Sequence, residues 1–282
     1  MPRVIFNADD FGASPGINRA VISAFRDGVL NSASLIMNAS RTEEAIRLAK
    51  ENPGLRIGVH LNLTRQRGQK ALADPEAIPL LAEGGGRLRR GFSGLFLLSL
   101  LRGGELRRQA EIEMRAQVEK ALASGIRPDH LDSHRHVHMI PALFGTLRRL
   151  SADYGITRVR NVNEDFFSTW RASPILPALL NGGVAKYAVL KTFSRLNRGG
   201  GDVYFYSVIH TTRLFGRNLR RICVPGRFRE AEACFHPAVA AEDRKAWEES
   251  FSDYLLASPD RQREYEALLD RGLPERIRFE HE

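Results

Sequence analysis

Short apolar runs and amphipathic segments alternate along the first half of the chain. The apolar runs have the length of buried strands, and the segments between them repeat apolar residues at helical spacing. Ser14 and Pro15 begin one of these helices, and Thr42 is the expected cap of the next. The predicted strands cover residues 3–8, 29–38, 55–64, 129–134 and 157–162, and the predicted helices cover residues 15–27, 42–52, 105–125 and 141–155. Repeated strand–helix units predict an α/β fold with a parallel sheet, either open or closed into a barrel.

The second half of the chain is less regular, but no repeat or long linker divides it. Predicted helices cover residues 171–201, 242–257 and 259–270, and predicted strands cover residues 202–210, 231–237 and 276–280. We therefore expect one domain over residues 1–282. A Gly- and Arg-rich insertion at about residues 65–104 interrupts the pattern, and loops of this length are commonly lids, binding loops or disordered segments.

Polar side chains with catalytic potential follow several of the predicted strands. Ligands of parallel sheets and barrels bind at the carboxyl ends of the strands. The first strand ends in Asp9 and Asp10, the third carries His60, the fourth runs into "DSHRHVH", and a late strand ends in "EACFHP". The polar residues of the last two stretches are Asp132, His134, His136, His138, Glu232 and His236. This convergence indicates one site at that edge of the sheet.

Each of these groups also has a simpler structural interpretation. Asp9 and Asp10 could form an Asx turn. His60 could be a hydrogen-bonded core histidine, and His236, which precedes a proline, could end its strand. The run "HRHVH" is more typical of a metal site. An extended chain would place its three histidines on one face with Asp132, whereas a helix that starts after the first histidine would group only the first and third.

Together these residues supply what the metal-assisted hydrolysis of an amide or ester needs. One carboxylate and two imidazoles form a ligand set for a divalent cation, and zinc, magnesium or another transition metal would suit it. The cation would polarise a substrate carbonyl and lower the pKa of water. A second acid beside the metal would suit a general base, and His236 would suit a general acid that protonates the leaving group.

The composition limits the partners and the compartment. The formal net charge of +9 favours an anionic partner or reflects a basic solvated surface. No nucleic-acid-binding motif is recognisable, so no nucleic-acid partner is expected. Two cysteines make no disulfide framework, the N-terminal stretch has no signal-peptide apolar region, and the longest apolar stretch, residues 91–101, is far shorter than a membrane span. We expect a cytosolic protein, with peripheral contact at the inner membrane face as an option.

Four stretches, in this order along the chain, resemble the YdjC-type carbohydrate deacetylase family: "NADDFGASPGIN", "GVHLNLT", "PDHLDSHRHVHM" and "EACFHP". The resemblance spans most of the chain. It implies a distorted (β/α) barrel related to the polysaccharide deacetylases, and an enzyme that removes N-acetyl groups from amino sugars. By position it implies that Asp10, His60 and His134 hold the metal and that Asp9 is the catalytic base.

The same resemblance implies roles for residues around this set. His236, with Glu232 nearby, falls in the acid and substrate-binding region, and Arg160 falls near the substrate. The other candidate residues of the stretch "PDHLDSHRHVHM" are expected around the metal ligands and the substrate. They are Asp132, His136 and His138.

Within that family the chain is most similar to the branch associated with hopanoid biosynthesis, through "RTEEAIRLAKENPGLRIGVHLNLTRQR" and "RVRNVNEDFF". This implies an N-acetylglucosaminyl bacteriohopanetetrol lipid as the substrate. The Arg-flanked apolar run at residues 87–102 could dock on an anionic leaflet, or it could pack on the barrel as a buried helix. The alternatives are a deacetylase of soluble N-acetylated chito-oligosaccharides, a metallophosphodiesterase on the same barrel, and a non-catalytic glycolipid-binding protein. The oligomeric state stays open.

Overall fold

A single parallel sheet organises the protein. The computed structural model describes residues 3–66, 69–197, 201–243 and 259–280. Within them, seven strands pair in the order β5-β4-β3-β2-β1-β8-β6, and every pairing is parallel, while β7 and β9 form a separate parallel pair. The strands are β1 (Arg3–Phe11), β2 (Ser32–Leu35), β3 (Arg56–Leu61), β4 (His130–Ser133), β5 (Arg158–Val159), β6 (Val203–Tyr206), β7 (Ile222–Val224), β8 (Glu230–Phe235) and β9 (Ile277–Phe279).

Helices connect the strands and bury their apolar faces against the sheet. The first helix shows how local sequence sets their bounds, because the Ser14 hydroxyl accepts a hydrogen bond from the Ile17 backbone N–H and Pro15 occupies the first turn. The described helices are α1 (Pro15–Asp27), α2 (Thr42–Glu51), α3 (Phe92–Leu101), α4 (Gly103–Ala123), α5 (Pro141–Asp153), α6 (Phe166–Ala172), α7 (Leu176–Leu180), α8 (Gly183–Leu196) and α9 (Asp260–Leu268).

The sheet curls into a half-barrel that does not close. Its edge strands, β5 and β6, are not paired with each other within the described residues. Instead, the guanidinium of Arg160, just beyond β5, lies 5.2 Å from the ring centre of Phe205 on β6. A cavity of about 540 Å³, lined by residues of both edge strands, occupies this seam. The predicted α/β fold of the distorted barrel type is therefore confirmed, and the open seam is its distortion.

Several helix predictions differ from the structure. The helix predicted over residues 171–201 is three helices, because Pro174 cannot extend α6 and Gly182 turns the chain with φ 82° before α8. The cap predicted at Thr42 is wrong: Arg41 holds the cap position, and the Thr42 hydroxyl donates to the carbonyl of Ile36 at 2.7 Å. The helix predicted over residues 242–257 lies almost wholly outside the described residues.

The insertion at residues 65–104 contains turns and helix α3. Helix α3 buries Leu95 and Leu98 in the core and exposes Leu97, Leu100 and Leu101. Its apolar run therefore packs on the half-barrel and also presents apolar surface. None of the helices in the described part of the chain combines the length and the apolar character needed to cross a membrane.

We predict that Gly58→Ala destabilises the fold. Gly58 lies on β3, and a Cβ added there would stand 2.3 Å from the ring of His130, which is itself buried on β4. Forcing the ring aside should cost about 1–3 kcal/mol and lower the urea concentration at the midpoint of unfolding. Gly104→Ala is the matched control, because a Cβ in that first turn of α4 meets nothing within 4 Å. An unchanged midpoint for Gly58→Ala would contradict the packing described here.

Candidate metal and catalytic site

Strand β1 ends in a bulge that directs two neighbouring acids into one cavity. Successive side chains of a strand normally alternate between its two faces. The register of β1 against β2 shifts between Ala8 and Phe11, and Asp10 adopts a left-handed backbone with φ 68°. Asp9 and Asp10 therefore line the same cavity although they are adjacent in sequence, and both are buried.

His60 is oriented by a carboxylate on the next strand. In the pairing of β3 with β4, His60 lies beside Asp132, and Nδ1 of the ring is 2.7 Å from Asp132 Oδ1. The other ring nitrogen, Nε2, lies 3.6 Å from Asp10 Oδ1 and 3.9 Å from Asp9 Oδ2. Burial disfavours the protonated ring, but Asp132 and Asp9 outweigh it and raise the pKa of His60 to about 9. A carboxylate behind one ring nitrogen is typical of metal-binding histidines, in which the cation replaces the second proton.

The "HRHVH" run forms tight turns joined by a kink. Arg135 and His136 have left-handed backbones, with φ 57° and 54°, so the run is neither an extended strand nor a regular helix. This kink brings Nδ1 of His134 to 2.9 Å from Asp10 Oδ1. The Nε2 of His134 is buried and has no hydrogen-bond partner among the described residues.

The other two histidines of the run have different surroundings. His136 lines the cavity, packs edge-on against Phe205 with ring centres 5.6 Å apart, and has a pKa that burial holds well below its usual value. His138 turns away from the cavity. Its ring lies between the Ser133 hydroxyl, at 2.6 Å, and the carbonyl oxygen of Arg160, at 3.0 Å. His138 therefore stabilises the "HRHVH" turns by hydrogen bonds outside the cavity.

The three residues Asp10, His60 and His134 form the group best suited to hold a cation. One ligand atom of each lies within 4.8 Å of the others, and ligand atoms about 2.1 Å from a shared ion stand about 3–3.5 Å apart. Two other such groups include Asp9, but both carboxylate oxygens of Asp9 already accept hydrogen bonds from Arg160. The carboxylate, the two imidazoles and the unsatisfied His134 nitrogen therefore fit a divalent cation.

Arg160 is the centre of a buried ion-pair network behind the acids. Its two terminal nitrogens each donate to an oxygen of Asp9 at 2.8 Å, and its Nε donates to Glu232 at 2.8 Å. One terminal nitrogen also lies 2.7 Å from Asp132. Burial opposes ionisation of Asp9. The attraction of Arg160 and of His60 outweighs this effect and holds the pKa of Asp9 well below its usual range. Arg160 thus contacts the carboxylates from the side of the seam and does not line the cavity at the candidate metal ligands.

His236 follows β8 and faces Asp9 across the cavity. Its Nε2 lies 3.9 Å from Asp9 Oδ2, and its backbone N–H donates to Glu264 on α9. Burial dominates over the attraction of Asp9 and Asp10 and lowers the pKa of His236 to about 3, so the ring is neutral at neutral pH. Cys234, two residues earlier, also approaches Asp9, and burial raises the pKa of its thiol, which stays protonated.

Five cavity residues were not among the sequence candidates. Arg261 on α9 pairs with Asp10 Oδ2 and is only 2% exposed. Lys186 on α8 donates from Nζ to the Thr211 hydroxyl at 3.0 Å, and burial lowers the pKa of Lys186 to about 8. No sequence signal identifies Arg261, because most residues of α9 are polar or charged and an exposed Arg263 follows two positions later. The full set is Arg135, Lys186, Thr211, Thr212 and Arg261.

Backbone strain is concentrated around the cavity. Of the described non-glycine residues with a left-handed backbone, all but Ser207 line it. Such conformations persist where the surrounding structure imposes them, and they cluster at functional sites. The residues concerned are Asp10, Arg135, His136 and Thr212.

A small inner cavity opens next to a larger cleft. The inner cavity, at the candidate metal ligands, has a volume of about 40 Å³, which is room for roughly three water-sized groups. It shares Lys186, Thr211 and Thr212 with a cleft of about 410 Å³, which is bounded by the α7–α8 connection and the start of α9. The cleft falls within the usual size range of small-molecule sites. The arrangement suits a substrate that lies in the cleft and extends one small group toward the candidate metal ligands.

Comparison with known families gives one extended match. The sequence profile of the YdjC-like protein family matches residues 3–278. A carbohydrate deacetylase of Geobacillus stearothermophilus is 36% identical over 202 residues, which cover 71% of this chain and 76% of that protein. Carbohydrate deacetylase 1 of Listeria innocua is 31% identical over 71% of this chain and 78% of its own length.

Two further similarities concern part of the chain and the fold. A carbohydrate deacetylase of Brevibacillus brevis is 39% identical over 154 residues, which span 55% of this chain and little more than half, 57%, of that protein. Among solved structures, a candidate cellobiose-phosphate cleavage protein of Enterococcus faecalis superposes with a TM-score of 0.63 at 24% identity, covering 99% of this chain and 97% of that one. The structural similarity supports the fold alone.

We predict that Glu164→Gln removes a pH dependence of stability. Glu164 anchors the loop that carries Thr211 and Thr212: its carboxyl group accepts from the backbone N–H groups of Val208 and Ile209 at 2.7 and 3.2 Å. Burial raises its pKa from 4.5 to about 7. The native carboxyl therefore keeps a proton that the unfolded chain has lost, and this stabilisation is full below pH 4.5 and disappears as the pH rises through 7.

The measurement is urea unfolding of wild type and Glu164→Gln at about pH 5 and about pH 8. The free energy of unfolding of wild type minus that of the variant should fall by about 2–3 kcal/mol between the two pH values. The exposed Glu76→Gln serves as the control, for which this difference should stay constant. A constant difference for Glu164→Gln as well would contradict the prediction.

Proposed function

Because the chain belongs to the YdjC-like family, we propose that it is a metal-dependent hydrolase that removes the acetyl group from an N-acetylated amino sugar. One observation carries the proposal. The adjacent acids Asp9 and Asp10 have separate partners: Arg160 binds one, and the other lies with His60 and His134. Two acids with divided tasks are what metal-assisted amide hydrolysis requires.

The residues that would hold the cation are Asp10, His60 and His134. When bound, a divalent cation at this position polarises the acetamide carbonyl and acidifies water beside it. Asp132 fixes the tautomer and direction of His60, and Arg261 holds the second oxygen of Asp10.

Asp9 is proposed as the general base. Arg160 keeps Asp9 ionised and holds both of its oxygens in place, so the carboxylate is ready to take a proton from the attacking water. The departing amine needs a proton when the carbon–nitrogen bond breaks. His236 is neutral in the resting enzyme, so the proton that it delivers has to arrive during the reaction. Asp9, 3.9 Å from the His236 ring, is the group positioned to pass on the proton taken from water.

The cleft of about 410 Å³ is proposed to bind the sugar ring, with Lys186 and Thr212 at the junction with the inner cavity. We propose further that the sugar is an N-acetylglucosamine unit attached to a hopanoid lipid. This assignment rests on the sequence resemblance to the hopanoid-associated branch. The apolar surface that α3 exposes at Leu97, Leu100 and Leu101 is compatible with a membrane-borne substrate.

We predict that the adjacent substitutions Asp9→Asn and Asp10→Asn have different effects. Asp9→Asn removes the proposed base, so turnover should fall by about 10²–10⁴-fold while bound metal stays near the wild-type amount. Asp10→Asn removes a proposed ligand, so both metal content and turnover should fall. The measurements are acetate release and metal content of the purified proteins. Retained activity in Asp9→Asn, or full metal content in Asp10→Asn, would refute the division of roles.

We predict that acetate release depends on a divalent cation and on the attached lipid. Chelation should abolish the release of acetate from N-acetylglucosaminyl bacteriohopanetetrol, and one of zinc, magnesium, manganese, cobalt or nickel should restore it. A chitin disaccharide under the same conditions tests the soluble alternative. Faster turnover of the disaccharide would reject the hopanoid assignment but keep the deacetylase. Cation-dependent cleavage of a phosphodiester without acetate release would reject both.

A further inference from the structure

Exposed apolar side chains are concentrated on four helices. Among the described residues, twelve large hydrophobic side chains are exposed, and all but Leu72 and Leu122 belong to α3, α6, α7 or α8. Single exposed apolar residues are ordinary, but a concentrated set marks a surface that another body covers. The ten residues are Leu97, Leu100, Leu101, Phe167, Trp170, Leu176, Leu179, Leu180, Val189 and Leu196.

Each of these four helices already packs one face against the rest of the protein. The exposed apolar side chains on their outer faces are therefore not part of an incomplete hydrophobic core. Helix α3 packs on α8, where Phe96 lies 5.2 Å from Phe193 between ring centres. Helix α6 contacts α8 through Phe166, whose ring centre is 5.8 Å from that of Tyr187. Helix α7 buries Ala178, together with its neighbour Ile175, against the 208–212 loop.

The strongest part of this surface is its α6–α7 rim, which we define by Phe167, Trp170, Leu176, Leu179 and Leu180. The two aromatic rings lie 6.3 Å apart between centres, and Leu180 is 83% exposed. An amphipathic indole ring beside phenyl and leucine side chains is the composition of segments that settle at the boundary between lipid headgroups and hydrocarbon.

The rim adjoins the mouth of the cleft. Leu180 is followed directly by Asn181, Gly182 and Gly183, and all three line the cleft of about 410 Å³. Lys186, one turn further along α8, reaches from that cleft into the inner cavity. A body seated on the rim would therefore stand beside the entrance used by a substrate.

Basic residues border the rim. Arg171 ends α6, and Arg220 and Arg221 lead into β7, which packs against α6; all three are exposed. The whole chain carries a net charge of +9. This favours an anionic lipid surface over a second copy of the chain, because a symmetric pairing through the rim would bring these arginines together.

We propose that the α6–α7 rim docks on an anionic phospholipid bilayer and holds the mouth of the cleft at the headgroup level. The inference deepens the proposed function and rests on it, because a glycolipid substrate is the reason for the protein to approach a bilayer. The sugar of such a lipid would reach Lys186 and the inner cavity without leaving the membrane. Binding to lipid is nevertheless a property of the rim alone, and it can be measured without turnover.

The test uses the full chain and vesicles of phosphatidylcholine, with and without phosphatidylglycerol, in a co-sedimentation assay. Wild type should bind the anionic vesicles and should bind less as salt is added. Leu176→Asp combined with Leu179→Asp should reduce the bound fraction by about tenfold or more, because two charges would enter the apolar contact. Leu72→Asp combined with Leu122→Asp adds the same two charges at exposed leucines outside the four helices, so it is the matched control and should bind as wild type does.

A second readout reports the rim directly. In a Trp247→Phe background Trp170 is the only tryptophan, since the chain has two. Its fluorescence should shift to shorter wavelength on addition of anionic vesicles, and this shift should be absent in the Leu176→Asp, Leu179→Asp variant. That variant should keep the wild-type urea midpoint of unfolding, which shows that it is folded.

The outcomes separate docking from catalysis. Absence of wild-type binding to anionic vesicles, or undiminished binding of the rim variant, would overturn the inference. So would a wild-type dimer that the rim variant abolishes while vesicle binding is unchanged, because a second copy would then cover the rim. Failure of the proposed function has a different signature: no acetate is released from either substrate, while rim-dependent vesicle binding persists.

Discussion

The bidentate pair between Arg160 and Asp9 is the interaction on which the rest of the site depends. Arg160 directly follows β5, Asp9 lies near the end of β1, and the same guanidinium reaches Asp132 on β4 and Glu232 on β8. Three buried carboxylates around one cation are costly unless the geometry is well satisfied. Arg160 therefore connects strands from both sides of the open seam. In a closed barrel, backbone hydrogen bonds between the edge strands would make this connection, whereas here ion pairs make it.

The network also explains how two neighbouring acids can be buried together. Like charges at this distance would normally force one acid to keep its proton. Here each acid has its own compensation: Arg160 holds Asp9, while His134 and Arg261 hold Asp10. The bulge in β1 makes the division possible, because a regular strand would have turned one of the acids away from the cavity.

The fold and the centre of the site could be predicted from the sequence because both depend on short-range patterns. Strand–helix alternation predicts the parallel sheet, and polar residues at strand ends are brought together by that topology alone. The supporting residues could not be found in this way. Arg261 and Glu264 face the site from a helix whose sequence is that of a solvated surface, and only the packing of α9 shows that both are buried. The kink at Arg135 and His136 likewise has little local signal, since only His136 belongs to a residue type enriched in left-handed backbones.

The contact between Asp10 and Arg261 spans 251 positions along the chain. Proteins are synthesised from the amino end, and early segments begin to fold while later ones are still being made. Until α9 has left the ribosome, the carboxylate of Asp10 lacks this partner, and the N–H of His236 lacks its acceptor on Glu264. The half-barrel is complete once β8 has been made, but the cavity acquires its final charge balance only when α9 follows. Docking of α9 is then the step that completes the charge balance of the candidate metal site.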